Sequence, residues 1–379
     1  MRARSARSTG GWYHDRQLLG TRAYLRLVLS RGEDTRDHSL SLGRPFDRPR
    51  TPWGFEVTAR DYDGPFVDHR GGLDGPEWHL ERSMLSVAWG PRVAATNRTA
   101  LRIKPAIYFV RERYAVPDSS EVPCSDRPPG QCLGRPLQDE DVRAFGLEFD
   151  YIHERYSEWR NINSMGRQED FNLGTRLRLR VGYSPRRWSE RDDAWFLVAE
   201  GTQGKALGNA TFALSVFETR GQLVDGELRD AWWKSSTGLY HNLNRRHTLA
   251  TRLRMDLSRG LYPQHIFTMG ADSGLRGFEA HRFYGEQVLL WNLEDRWILR
   301  EDLLGLISIG AVGFVDGGLV WSEGTRRDAK PRVGAGVGLR LLGSRTRGLF
   351  VTRVDLGYPV VGEEDEDGWV LTIAGGQAF

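Results

Sequence analysis

The residues best suited to chemistry sit in the last third of the chain. The connection from Ser258 to Tyr284 contains GLRGF, which sets Arg276 between Leu275 and Gly277 and ahead of Phe278. The segment 304–321 contains GFVDGG, and period-two alternation puts Phe314, Asp316 and Gly318 on one face of a strand there. An arginine and a carboxylate of this kind, brought together away from water, fix the position of a loop and break no covalent bond. The competing reading is a solvated Arg276 and an ordinary carboxylate at Asp316. Covalent chemistry has thinner support, because His153, His241 and His247 have no nucleophile motif beside them. A hydrolase is therefore the least favoured class, and no catalytic residue is assigned. Cys124 and Cys132, in SSEVPCSDRPPGQC, allow either a local disulfide in an oxidising compartment or two free thiols. With no second Cys or His pair at ligand spacing, neither a metal nor a cofactor is expected.

The elements that must position Arg276 and Asp316 are strands. The 379 residues include 44 glycines, and only 39% are hydrophobic, so the chain needs many tight turns. No apolar run approaches the length of about 18 residues that a membrane-spanning helix requires. The longest candidate, Leu303 to Val315, stops at Asp316. A net charge of +3, from basic residues that are scattered and mostly arginine, excludes a nucleic-acid footprint. Residues 1–16 are polar and carry Arg2, Arg4, Arg7, His14, Asp15 and Arg16, which excludes a signal peptide in this stretch. They are expected to be frayed or the remnant of an upstream region, with one domain over 17–379.

Alternation with period two runs over unusually long segments. Leu173, Thr175, Leu177, Leu179, Val181 and Tyr183 interleave with Gly174, Arg176, Arg178, Arg180 and Gly182. Leu249 to Leu257 interleave with Ala250, Arg252, Arg254 and Asp256 in the same way. Strands of soluble sandwiches run to about 5 or 6 residues, whereas a tilted strand crossing a bilayer needs about 9–11. Sixteen such segments lie between residues 18 and 379. The expected fold is all-β: a single closed antiparallel transmembrane β-barrel of sixteen strands. Connection lengths agree, with long loops such as 115–139 and 258–284 on one side and short turns such as 244–245 on the other. One connection, Tyr156 to Glu169, is too long for its side. Trp53, Trp89, Trp297, Trp321 and Trp369 fall near segment ends, where indoles prefer the headgroup level. Asp295 has lipid-side parity and is expected to mark a strand end or a bulge.

Taken in order, these motifs resemble the barrel of the BamA/TamA superfamily, the outer-membrane insertases and two-partner secretion transporters. The resemblance covers 258–379 by motif and the rest by architecture. In that family a loop bearing (V/L/I)-R-G-(F/Y) enters the barrel and its arginine contacts an F-x-D-x-G strand; here these are Leu275-Arg276-Gly277-Phe278 and Phe314-Val315-Asp316-Gly317-Gly318. Asn292, Glu294 and Arg296 resemble the family's N-x-E-x-R, while VGAGVGLR ending at Arg340 and RVDLGYP with Arg353 and Asp355 resemble the next two strands. Phe379 resembles the terminal aromatic by which assembly machinery recognises such barrels. The resemblance implies a bacterial outer-membrane protein that is not an enzyme. Its function would be to assist insertion or secretion of β-rich clients through a weak seam between first and last strands. Its partners would be outer-membrane lipids, unfolded clients and periplasmic chaperones. Family members also carry a signal peptide and POTRA domains, and these residues include neither. The alternatives are a passive pore, favoured for anions by Arg176, Arg178, Arg180, Arg252 and Arg254, and a barrel-only structural relative.

Overall fold

A computed structural model describes residues 9–46, 48–71, 75–115, 136–188, 192–343, 351–362 and 368–377. Its first strands are β1 (Thr9–Asp15), β2 (Tyr24–Arg31), β3 (Arg36–Arg44), β4 (Trp53–Val67), β5 (Glu77–Ala95), β6 (Thr99–Ala115) and β7 (Glu140–His153). A small hairpin, β8 (Tyr156–Arg160) and β9 (Gln168–Asn172), interrupts the series. It resumes with β10 (Thr175–Ser184), β11 (Ala194–Ala206), β12 (Thr211–Val224), β13 (Glu227–Asn244) and β14 (His247–Arg259). A second small hairpin, β15 (Phe267–Met269) and β16 (Phe283–Gly285), precedes β17 (Gln287–Leu303), β18 (Ile307–Trp321), β19 (Arg332–Gly343), β20 (Val351–Val361) and β21 (Val370–Gly375).

All strands except the two small hairpins form one antiparallel sheet of 17, each paired with its neighbour in the chain. The sixteen segments read from alternation are all present, and the seventeenth strand is β1, within the stretch expected to be frayed. Its sequence, TGGWYHD, has no apolar alternation, and it becomes a strand by pairing along β2 from Thr9↔Arg31 to Asp15↔Leu25. Among the described residues no ladder joins β1 to β21, so the ring of pairings expected of a closed barrel stops at these two strands.

The sheet wraps around an interior. Thr58 of β4, Tyr108 of β6, Glu148 of β7, Arg180 of β10, Val198 of β11 and Gln222 of β12 line one cavity of about 350 Å³. Arg220 of β12 reaches Glu140 of β7, and the ring of His69 stacks at 3.9 Å on His281 of the long loop. Polarity is inverted relative to a soluble protein. On β14 the outward Leu249, Leu253, Met255 and Leu257 are exposed while the inward Thr248 and Asp256 are buried. Lipid is the solvent that makes such an apolar exterior favourable. Leu253→Arg is accordingly expected to cost roughly 2–4 kcal/mol near the bilayer midplane, measured as a lowered denaturant midpoint for unfolding from vesicles.

Asp295 does face outward, but no bulge forms at it: the register of β17 shifts only beyond Ile298. Its carboxylate is engaged by His247 on the adjacent β14, and that imidazole stacks on Trp297 at 5.4 Å. A cross-strand partner thus compensates the charge that parity alone leaves facing lipid.

Candidate functional site

Two segments fill the interior from opposite ends. The long loop between β14 and β17 enters from one side. Its β15–β16 ladder closes it at the base, and Leu261, Phe267, Met269, Leu275 and Phe278 pack with the inward Val288 and Leu290 of β17. The turn at Gly270 is tight, its carbonyl accepting the N–H groups of Ser273, Gly274 and Leu275 at 3.1, 3.1 and 2.9 Å. Gly274 and Gly277 flank Leu275 and Arg276 at φ +109° and +99°, a region where any side chain is strained.

This turn delivers Arg276, 1% exposed, to the centre of the interior. Its Nε donates to Asp316 Oδ2 at 2.8 Å, its Nη2 to Asp316 Oδ1 at 2.8 Å, and its own backbone N–H to Oδ2 at 3.1 Å. Its Nη1 donates to Glu294 and lies 3.6 Å from Asp355 Oδ2. The guanidinium carbon stands 3.7 Å from the centre of the Phe314 ring. A planar five-donor fork is the side chain that can satisfy two carboxylates and cover an aromatic face at once.

Glu294, Arg296, Arg340, Arg353 and Asp355 surround this guanidinium, while Gly318 lies beneath Met269. Glu294 also accepts from Arg296 Nε at 2.7 Å and lies 3.5 Å from Arg340 Nη2. Asp355 receives Arg340 Nη1 and lies 3.6 Å from Arg353 Nη1. Asn292 ties loop to wall, its Nδ2 donating at 2.6 Å both to the Gly274 carbonyl and to Asp316 Oδ1. Four guanidinium groups (Arg276, Arg296, Arg340, Arg353) thus face three carboxylates, Glu294, Asp316 and Asp355, all of them buried. Breaking one partner of such a cluster costs far more than the cluster contributes over an apolar replacement. Its chemistry is positional. Among the described residues no group of His, Cys, Asp and Glu could hold a metal ion. Cys124, Cys132 and Phe379 lie outside the described residues.

Glycines make the seat. Gly334, Gly336 and Gly338 alternate on the inward face of β19. A side chain at Gly334 would run into the Arg276 carbonyl, and one at Gly336 into the Leu356 carbonyl and the Phe314 ring. Gly277 itself lies so close to β20 that an added Cβ would meet the Tyr358 carbonyl at 2.9 Å. The period-two glycines of VGAGVGLR are the sequence signal of this backbone pit.

The second segment is the connection from β7 to β10, expected as an overlong turn. It folds into the opposite mouth as the β8–β9 hairpin. Trp159, Ile162 and Leu173 pack on the inward Phe212, Tyr240 and Ala250, with the Trp159 and Phe212 rings 4.5 Å apart. Its tip winds around the Glu169 carboxylate, which accepts the N–H groups of Ile162, Asn163 and Ser164 at 3.0, 3.0 and 3.1 Å. The two segments meet through the cluster, because Arg296 donates to Glu294 on one side and at 3.2 Å to the Ile162 carbonyl on the other. Each also seats a methionine against a glycine of β18. A Cβ at Gly310 would meet Met165 Sδ at 2.8 Å, and one at Gly318 would collide with Met269 Sδ.

Neither protein-family models nor curated protein sequences match the chain. Solved structures do. BamA from Haemophilus ducreyi lacking POTRA domains 1–3 aligns at 12% identity and a TM-score of 0.50, over 98% of this chain and 70% of that one. CdiB from Escherichia coli aligns at 14% identity and 0.48, over 97% of this chain and 58% of that one. CdiB from Acinetobacter baumannii aligns at 13% and 0.49, over 98% and 57%. Together with the inverted polarity and the antiparallel meander, the first of these likenesses identifies the fold of this chain as a BamA-type β-barrel.

Proposed function

We propose that this chain is an outer-membrane barrel of the insertase or translocase type, which assists insertion or secretion of β-rich client proteins by offering a strand edge. The observation that carries the reading is the anchoring of the long loop inside the barrel by Arg276 on Asp316 and Glu294, beside a sheet whose first and last strands share no described ladder. An interior occupied by the chain itself favours traffic along the wall over diffusion through the middle. Exposed backbone N–H and C=O groups at a strand edge template the pairing of an incoming strand. Lipids of the outer membrane, unfolded clients and the periplasmic chaperones that deliver them are the partners this reading assigns. No cofactor and no covalent step enter it.

The passive-pore reading rests on five inward arginines, and three of them are held in close contacts. Arg178 pairs with Glu200 at 3.0 Å, Arg254 with Asp256, and Arg252 donates to Asn292 Oδ1 at 2.9 Å. Paired guanidinium groups make a poor anion filter. The test is to reconstitute the chain in vesicles and follow the folding of a separate urea-unfolded outer-membrane barrel by its heat-modifiable gel mobility. Faster folding than in protein-free vesicles is expected. Absence of acceleration, together with a steady anion-selective conductance, would replace this reading with the pore.

A further inference from the structure

The seventeenth strand sits where it changes the seam. The connections β2–β3, β14–β17 and β20–β21 lie at one end of the barrel, and β1–β2, β7–β10 and β17–β18 at the other, as a simple meander requires. With an odd number of strands, the first and last run in the same direction. A ladder between β1 and β21 would therefore be parallel, unlike every other ladder in the sheet. The strand β2 runs opposite to β21 and would suit it as an antiparallel neighbour. One edge of β2 is taken by β3, and the other is taken by β1.

Little besides backbone pairing holds β1 there. From Thr9 to His14 every side chain is exposed, Trp12 at 79%. The strand contains adjacent glycines, Gly10 and Gly11, which lose the most conformational freedom on ordering and offer nothing to pack. The side-chain bonds within the strand and across to β2 are marginal: Thr9 Oγ1 donates to the Arg31 carbonyl at 3.4 Å, and the Tyr13 hydroxyl to Asp15 within the strand at 3.5 Å. A segment with no buried apolar contact and one paired edge lies at the low end of local stability.

We propose that β1 is a removable, intramolecular occupant of the β2 edge, and that its release opens that edge to an incoming strand of a client. This rests on the strand-edge reading above and adds to it the acceptor strand and the device that guards it. The low hold of β1 makes exchange possible, because an incoming strand with side chains to pack replaces one with none.

The test uses the full chain in detergent micelles, with Cys124 and Cys132 replaced by Ser, and a fluorescent peptide carrying residues 368–379 as the probe strand. Trp12 and Val28 are register partners, so Trp12→Cys with Val28→Cys allows β1 to be locked by oxidation and released by reductant in one sample. Separately, Gly11→Pro with Trp12→Pro places one proline at a position facing β2 whichever of the two points inward, and breaks the strand. Heat-modifiable mobility confirms that each form is folded. Oxidation is expected to weaken peptide binding by at least about tenfold, reversed by reductant, and the proline pair to tighten it by at least about tenfold, each equivalent to about 1.4 kcal/mol. Equal affinity in all forms overturns the proposal and leaves the strand-edge reading standing, with the peptide seated elsewhere. A fall in affinity with the prolines also overturns it, since β21 would then have taken the vacated edge. No binding to any form overturns both.

Discussion

Arg276→Ala is expected to lower the heat resistance of the folded barrel more than any other single change in the long loop. The substitution strips Asp316 of two side-chain donors and Glu294 of one, and neither carboxylate has water to turn to at zero exposure. Removing one partner of a buried pair costs roughly 3–5 kcal/mol. Arg276→Lys retains the charge but loses the fork that reaches Asp316 twice and Glu294 once, so it should fall between alanine and the parent. Asp316→Asn retains an acceptor for the Arg276 backbone N–H and removes the charge. The midpoint of the heat-modifiable gel transition measures all three. A double-mutant cycle on Arg276→Ala and Asp316→Ala should show strong coupling, since once the arginine is gone the aspartate has less to lose. Purely additive losses would show that the two side chains do not act as a pair.

The second large effect is expected at Trp159. This indole is the apolar anchor of the β8–β9 hairpin, stacked against Phe212 and surrounded by Ile162, Leu173 and Tyr240. Trp159→Ala leaves a cavity at that contact, and large-to-small changes of this kind cost about 3–5 kcal/mol. The loss falls on the docking of the hairpin, because the hairpin's own order, the winding around Glu169, is local to it. Trypsin added to the folded protein should therefore cut after Arg160 or Arg167 in the variant and spare both in the parent. An unchanged digestion pattern, with the barrel intact, would mean that the hairpin is held from elsewhere. Arg296→Ala should give a weaker form of the same phenotype, since it removes the bond to the Ile162 carbonyl while sparing the aromatic contacts.

The barrel strands were legible because lipid outside and a charged interior inside impose opposite chemistry on successive residues, which is a signal with period two. Among the partners of Arg276, parity puts Asp316 on one face with Phe314 and Glu294 on one face with Asn292 and Arg296, while Asp355 entered only through the resemblance. Where the environment departs from that scheme, the pattern goes silent. β1 is exposed along nearly its whole length and therefore lacks alternation in TGGWYHD. The hairpin buries Trp159, Ile162 and Leu173 against an inner wall that is itself apolar at Phe212, Tyr240 and Ala250, an arrangement that depends on residues far apart in the chain. Asp295 looked irregular because its partner, His247, comes from the neighbouring strand. The glycines of β19 carried information of another sort, since what they report is the space another segment fills.

The two methionines seated on β18 turn the occupancy of the interior into a chemical record. Met269 is 0% exposed and Met165 4% exposed, so oxidants reach neither sulfur while both segments stay in place. Oxidation adds an oxygen to a side chain that already fills the space above a glycine, and it makes that side chain polar. Once either segment has swung out and been oxidised, its return to Gly318 or Gly310 is obstructed. In peroxide, the sulfoxide fraction at each position would accumulate in proportion to the time that segment spends outside, with Met269 timing one mouth of the barrel and Met165 the other.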